Sequence, residues 1–487
     1  MTPGSPPDWI ETAQRHSPWP QARVAVAGGL GVSGFAAADA LLQLGAHVAV
    51  LDDSASDQAR EKATLLEILG ADVRMGPGST AILPADVDLV VSAPGLPTTT
   101  PVLVAAAARG LPVWSEVELA WRLRDLARKT PWLCVTGTNG KTTTVQMLDA
   151  ILRADGLRSV AAGNVGTPLC EVVMDPQRFD AVAVELSSQQ LHATRSISAR
   201  AAVVLNVAPD HIAWHGNLER YVAAKARIYH NCQVACVYNR EDPTTRRMVE
   251  EAEVVEACRA IGFTLGVPAI GMLGLVDDVL ADRAFVEGRE RNAAELARVA
   301  DVPTGAPHNV ANALAAAALA RAHGVSAGAV RRGLLGFRLD KHRIATVAAI
   351  NDITYVDDSK ATNAHAAMAS LQAFDSVVWI AGGLAKGAAF DDLVCSVRGR
   401  LRGVVALGAD RGVIVDALSR HAPDVPVIQI DDTETGVMER VVTAAAVLAG
   451  AGDTVLLAPA CASQDMFASY AERGDAFVAA VGRLHTR

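Results

Sequence analysis

Short apolar runs alternate along the chain with longer stretches in which apolar positions recur every three or four residues, and glycine, proline, aspartate or asparagine punctuates the joins. Runs of this kind read as buried parallel strands, and the longer stretches read as covering helices. Strands are predicted at residues 23–27, 47–51, 87–91, 133–136, 180–184, 201–207, 353–356, 377–381 and 454–457. Helices are predicted at 35–44 and 310–320, and after residue 141, where Val145, Leu148 and Leu152 share a face. The repeated strand–turn–helix order gives an α/β fold class with mainly parallel sheets. Two seams divide it: a charged amphipathic helix over 116–129 that leads to Pro131, and a basic loop over 336–343. Three domains are therefore expected, at 1–115, 116–338 and 339–487, the outer two Rossmann-like and the central one a P-loop domain.

Composition narrows the function. The chain has 487 residues, 51% hydrophobic and 20% charged, with a formal net charge of -9. An acidic balance gives no electrostatic footprint for nucleic acid or for an anionic membrane surface. No run reaches the roughly 18 apolar residues of a membrane span, and the Pro-rich start lacks a signal-type apolar core. A cytoplasmic protein is expected, with no nucleic-acid or membrane partner, working as a monomer. Of the seven cysteines only Cys232 and Cys236 stand close, with no second pair after them, so all seven read as reduced thiols, mostly in cores.

The first strand runs into Gly29-Leu30-Gly31-Val32-Ser33-Gly34, and Asp52 closes the next strand. Such a turn lets a phosphate approach backbone N–H groups at a helix start, with an acid placed for a ribose hydroxyl. The pattern alone also fits a turn that only packs helix on sheet, and it does not name the nucleotide. A dehydrogenase built on this turn is one rival reading. The strand at 87–91 leads to Ser92-Ala93-Pro94-Gly95, again a loop at a strand end.

The second unit opens with a strand and the loop Gly137-Thr138-Asn139-Gly140-Lys141-Thr142. Successive N–H groups wrap a phosphate, Lys141 adds a mobile cation, and the Thr142 hydroxyl suits Mg²⁺. Val135 departs from the usual leading glycine, but strand, loop and helix all follow. Glu185 and Asp210-His211 lie beyond the ends of predicted strands, where ligands gather in an open sheet. Singly they read equally well as a solvated cap and a loop histidine; beside a phosphate loop they read as metal ligands. On composition Lys225 is a solvated helix lysine. Asn309 and Asn312 share a helix face and fit either capping or a base edge. A second rival reading is a nucleotide-driven switch that is not an enzyme.

In the third unit, strand ends carry Asp357 to Asn363, Gly382 to Gly387 and Pro459 to Asp465. Lys360, Thr362, Lys386 and Ser463 thus share one rim, which suits a dicarboxylate or, more plainly, solvated loop polars.

Taken together these motifs resemble the Mur ligase family over residues 23–474. The family-level pieces are Gly137 to Thr142, Glu185, Asp210-His211, the Lys225 helix, His308 to Asn312 and His342-Arg343. GLGVSG with Asp52, ELSSQQL, DDSKATN, GGLAKG and PACASQD point to the branch that adds D-glutamate. No DNPR-like or DSYNANP-like motif of the branches adding a diamino acid or a D-Ala-D-Ala dipeptide is present. Ala93, Gln189 and Tyr470 depart from residues common in the branch.

The resemblance implies ATP-dependent ligation of D-glutamate to UDP-N-acetylmuramoyl-L-alanine through an acyl phosphate, in cytoplasmic peptidoglycan precursor synthesis. It implies catalytic roles for Lys141, Glu185, His211 and Lys225. ATP contacts fall to Gly137, Thr138, Asn139, Gly140, Lys141, Thr142, Thr143, Asn309, Asn312, Arg343 and Asp358. UDP-substrate contacts fall to Gly31, Ser33, Gly34, Asp52, Asp53, Gly95, Asn164 and Ser187. D-Glutamate contacts fall to Lys360, Thr362, Lys386, Ser463 and Tyr470. Two Mg²⁺ ions are implied, held by Thr142, Glu185, His211 and Lys225, the last as a carbamate.

Overall fold

The computed structural model describes residues 7–431 and 435–484. Residues 1–6 and 485–487, the outer ends of the first and third expected domains, lie outside the described residues. The chain divides into two compact units, residues 1–305 with 309–337, and 306–308 with 338–487.

The first unit holds two sheets. One contains β1 (Arg23–Ala27), β2 (His47–Asp52), β3 (Asp72–Met75), β4 (Leu89–Ser92) and β5 (Val113–Ser115). All its pairings are parallel, in the order β3-β2-β1-β4-β5. The other contains β6 (Trp132–Thr136), β7 (Ser159–Gly163), β8 (Ala181–Glu185), β9 (Ala201–Val204), β10 (Ala235–Asn239), β11 (Arg259–Phe263), β12 (Met272–Val276), β13 (Val279–Asp282) and β14 (Ala294–Arg298). Its order is β14-β13-β12-β11-β10-β9-β6-β8-β7. It is parallel from β7 to β12 and antiparallel over β12–β14. The chain switches sides around β1 in the first sheet and around β6 in the second, and crevices open at the carboxyl ends of strands at such points. Every residue of β6, β8 and β9 is buried, as expected of parallel strands covered on both faces.

The helix expected over 116–129 is shorter, Glu116–Leu123, and its acids face inward rather than to solvent. Glu118 accepts from the Arg195 and Ser196 amides at 2.8 and 2.9 Å and from the Ser196 hydroxyl at 2.6 Å. Glu116 accepts from the Cys170 amide at 2.6 Å. These acceptors meet backbone donors that no other group serves, and they tie the helix after the first sheet to the second. Trp121 and Trp132 stack edge to face at 5.0 Å in a core shared by both sheets.

The second unit holds β15 (Ala345–Ile350), β16 (Ile353–Asp357), β17 (Val377–Gly382), β18 (Leu401–Leu407), β19 (Val427–Gln429) and β20 (Thr454–Leu457). Their order is β15-β16-β20-β17-β18-β19, parallel except for β15. Apolar clusters cover both faces, one around Trp379 and Phe390 and one around Phe477 and Met438. The antiparallel strands β12–β14 and β15 were not among the strands read from the sequence. Among the described residues no helix is long and apolar enough to cross a membrane.

Candidate active site

The loop after β6 leads directly into the helix Lys141–Ala154, whose first turn has no side-chain cap. The N–H groups of an uncapped first turn and the helix dipole favour an anion. Gly140 has φ 84°, and a Cβ there would stand 2.4 Å from Asn312 Oδ1. Only glycine therefore fits where the buried Asn312 amide closes on the loop. Asn206, two residues beyond the end of β9, holds the loop from below. Its carbonyl accepts from the Thr138 amide at 3.0 Å, its Oδ1 from the Asn139 amide at 2.9 Å, and its Nδ2 donates to the Asn139 carbonyl at 3.1 Å. The Thr138 hydroxyl meets the Tyr221 hydroxyl at 2.9 Å and accepts from the Ala208 amide at 2.9 Å. Lys141 is half-buried, and its Nζ donates to the Gly137 and Thr138 carbonyls at 3.0 and 2.9 Å. Thr142 is half-buried and Thr143 buried beside it. Asn309 is buried, its Nδ2 donating to Thr304 Oγ1 at 2.9 Å.

Two groups lie deeper. Glu185 ends β8, 1% exposed; Oε1 accepts from Asn164 Nδ2 at 2.9 Å, while buried Oε2 has no hydrogen-bond partner. Lys225 is 2% exposed, which overturns its reading as a solvated helix lysine. Its Nζ donates to the Gly137 carbonyl at 2.8 Å and lies 4.7 Å from the Tyr221 ring centroid. Burial, with the Lys141 charge adding to it, pushes this amine well below the usual lysine range against the pull of Asp210 and Glu185. His211 differs: it is exposed, at φ 53°, with Nε2 3.7 Å from Asp210 Oδ2.

The sequence reading missed the ring cluster behind these groups. His215 is buried, with Nε2 2.9 Å from Ser188 Oγ and its ring centroid 5.4 Å from that of Tyr221. Burial lowers its pKa to about 4, so a neutral imidazole links the Ser188 turn to the phosphate loop through Tyr221 and Thr138. A histidine among aromatics three residues into a short helix carries no sequence signal for this.

In the first sheet, Gly31 caps the helix Val32–Gln43 without a side-chain bond, leaving its N–H groups open, with Ser33 half-buried. Gly34 lies against the Gly28–Gly29 turn, with no room for a Cβ. Asp52 accepts from the Leu30 and Ser54 amides, both at 2.9 Å, so it braces the glycine turn as well as facing it. Asp53 accepts from the Thr80 amide at 3.0 Å and its hydroxyl at 2.5 Å, and these bonds hold its carboxyl below the usual range. Gly95 and Asn164 are exposed. Ser187 caps the helix Ser188–His192 in a reciprocal box with Gln190.

In the second unit the loops after β16, β17 and β20 gather at one rim. Leu384 and Ala462 bridge, which brings the loop of Lys386 beside that of Ser463. Lys386 is exposed at φ 50°, and the Ser463 hydroxyl is buried without a hydrogen-bond partner. Lys360 Nζ lies 3.9 Å from the Tyr470 ring centroid, and Thr362, half-buried, donates its amide to the Lys360 carbonyl at 2.8 Å. Behind the rim, His342 Nδ1 meets Asp357 Oδ2 at 2.6 Å. Buried Arg473 donates to the Ser359 hydroxyl at 3.0 Å and carbonyl at 2.9 Å. Asp358 is buried, accepting from Ser370 and from the Ile344 amide, and burial raises its carboxyl to about 7, with the half-buried Arg343 opposing the shift.

A parallel sheet with an open phosphate loop, a buried acid and a buried amine, joined to a second α/β unit with a cationic rim, defines a nucleotide-using α/β protein. Family models match along the chain: the Mur ligase MurD-like N-terminal domain at residues 23–115, the Mur ligase middle domain at 135–320, and the Mur ligase glutamate ligase domain at 342–461. The UDP-N-acetylmuramoylalanine–D-glutamate ligase of Streptomyces avermitilis is 58% identical over 96% of this chain and 99% of its own length. The ligase of the same name from Mycolicibacterium smegmatis is 45% identical over 95% and 97%. Among solved structures, MurF from Acinetobacter baumannii matches with a TM-score of 0.57 at 17% identity, over 91% of each chain. MurC from Thermotoga maritima matches at 0.56 and 20%, over 95% of this chain and 99% of its own. The two structures show likeness of fold alone. The chain belongs to the Mur ligase family.

Proposed function

We propose that this protein joins D-glutamate to UDP-N-acetylmuramoyl-L-alanine at the expense of ATP, as a monomer in the cytoplasm, in peptidoglycan precursor synthesis. The observation that carries the reading is the 58% identity, over nearly the full length of both chains, to a ligase named for that reaction. Three domains divide the work: 1–115 for the UDP-substrate, 116–338 for ATP and 339–487 for the amino acid. The alanyl carboxylate attacks the γ-phosphorus, the bond to the ADP oxygen breaks, and an acyl phosphate forms. The D-glutamate amine then attacks the acyl carbon, the carbon–oxygen bond breaks, phosphate leaves, and the amine proton passes to solvent.

The chain's own groups suit these steps. The N–H groups of 137–143 and Lys141 hold the phosphates and offset the charge that spreads over them in transfer. Asn309 and Asn312 serve the adenine side, and Arg343 and Asp358 are assigned nucleotide contacts. Gly31, Ser33, Gly34, Asp52, Asp53, Gly95, Asn164 and Ser187 serve the UDP-substrate; for Asp52, Asp53 and Ser187 this includes bracing the loops that receive it. Lys360 and Lys386 pair with the D-glutamate carboxylates, beside Thr362, Ser463 and Tyr470. The unpartnered Glu185 oxygen is a hard donor suited to Mg²⁺, with Thr142, His211 and a modified Lys225 completing the set. Bound there, Mg²⁺ would neutralise phosphate charge. Supporting the modification, burial lowers the Lys225 pKa well below the usual lysine range and so favours the neutral amine, and a neutral amine adds CO₂ to give a carbamate and a proton.

The test is phosphate release with UDP-N-acetylmuramoyl-L-alanine, ATP and a panel of amino acids. Release that requires D-glutamate and yields the amide is expected. Release without any amino acid, or with another amino acid in preference, overturns the reading.

A further inference from the structure

Cys232, Cys236 and Cys258 stand outside the catalytic groups, and their three sulfurs lie within 4.8 Å of one another. The sequence pairs only the first two. The third arrives because β11 pairs in parallel with β10, with Ala260 opposite Cys236. The Cys236 and Cys258 sulfurs are 3.9 Å apart. Thiolates bound at ~2.3 Å to a single ion stand about 3.8–4.0 Å from one another. The spacing is thus near that of ligands to one ion, and far beyond a disulfide's bond length of about 2.05 Å.

The backbone holds the three loops in this arrangement. The Val255 amide donates to the Cys232 carbonyl at 3.1 Å, the Cys258 amide to the Val255 carbonyl at 3.0 Å, and the Arg259 amide to the Val234 carbonyl at 3.0 Å. Residues in the left-handed region stand directly before the two outer cysteines: Asn231 at φ 51° and Ala257 at φ 71°. Alanine is disfavoured there, and the tight turn it makes delivers the Cys258 sulfur to the other two. Cys232 and Cys236 are 0% and 2% exposed, while Cys258 is half-buried, so one edge of the cluster opens to solvent.

We propose that Cys232, Cys236 and Cys258 form a three-thiolate site for a soft divalent cation of the zinc type, distinct from the Mg²⁺-type oxygen site at Glu185. Soft thiolate donors select such ions over Mg²⁺. Binding exchanges three thiol protons for one ion, leaving a site of net charge minus one. A solvent molecule on the Cys258 side fills the fourth position, since three protein donors leave one open. The ion cross-links the segment after the Lys225 helix to the edge of β11.

The test uses the full-length chain, reduced and freed of metal, with Co²⁺ as the spectroscopic probe. One equivalent should produce thiolate-to-cobalt charge-transfer absorption that Zn²⁺ displaces and that Cys258→Ser loses. In the unsubstituted protein, Zn²⁺ should slow alkylation of Cys258 by at least tenfold and leave the exposed Cys395 unchanged. That arm stands even if the variant folds poorly. Absence of the absorption, its survival in Cys258→Ser, equal alkylation with and without Zn²⁺, or loss of two hydrogens to a Cys236–Cys258 disulfide in place of metal uptake would overturn the proposal.

Discussion

The Lys225 amine donates to the Gly137 carbonyl over 2.8 Å, so a buried lysine is seated against the first peptide of the phosphate loop. An ammonium there would repel both Lys141 and any dication at Glu185, and the surrounding protein instead favours the neutral amine. Lys225→Ala is expected to lose most activity, with partial rescue by a small added carboxylate. Carbon-13 NMR in labelled bicarbonate should show a carbamate signal that the variant lacks. Full activity in Lys225→Ala would remove the lysine from the mechanism.

Lys141 reaches back to two carbonyls of its own loop, at 3.0 and 2.9 Å. Removing such a preorganised cation costs about 10²–10³-fold in turnover. Lys141→Ala should show that fall in steady-state phosphate release, with an unchanged circular dichroism spectrum. Retention of more than about a tenth of the activity contradicts the assignment.

Lys360→Ala and Lys386→Ala are expected to raise the KM for D-glutamate by about 10-fold or more, the effect of losing a charge-assisted hydrogen bond. The KM for the UDP-sugar should hold steady. An unchanged D-glutamate KM in both variants would place the amino-acid pocket elsewhere.

Burial raises Glu116 from 4.5 to about 7, and its Oε2 has no hydrogen-bond partner. The folded protein holds this proton more tightly than the unfolded chain does. Stability therefore falls as pH rises from about 4.5 to about 7, and the loss is complete above that window. Glu116→Gln removes the buried charge and keeps an acceptor for Cys170. Its advantage over the unsubstituted protein should grow across the same window to on the order of 2–3 kcal/mol. Urea midpoints of both proteins at pH 5 and pH 8 check this; a constant difference refutes it.

Gly474 lies in the helix Tyr470–Leu484, where a Cβ would stand 2.1 Å from His342 Nδ1, the atom bonded to Asp357. Gly474→Ala should cost about 1–3 kcal/mol by overpacking and should loosen the rim that carries Lys360. Thermal melting together with the D-glutamate KM would register both effects; a variant unchanged in each would show that the contact is relieved without consequence.

Features that depend on neighbours in sequence were legible from the chain alone. The strand at 23–27, the loop 137–142 and the strand at 454–457 carry their own periodicity and turn residues; the structure has both strands at the expected bounds, while the helix after the loop already begins at Lys141, two residues inside the expected loop. Glu185 at a strand end was readable for the same reason. What tertiary structure decided was which polar groups lose water. Lys225, Glu116 and Glu118 have the local signature of solvated helix residues, yet each is buried because another segment covers it and supplies a partner. Cys258 joins Cys236 from 22 residues away because two strands pair, and His215 meets Ser188 because their helices pack. Helical and strand periods encode which face is apolar, but the dehydration of a charge is set by the element that lands on it, and that contact is written in no local stretch of the sequence.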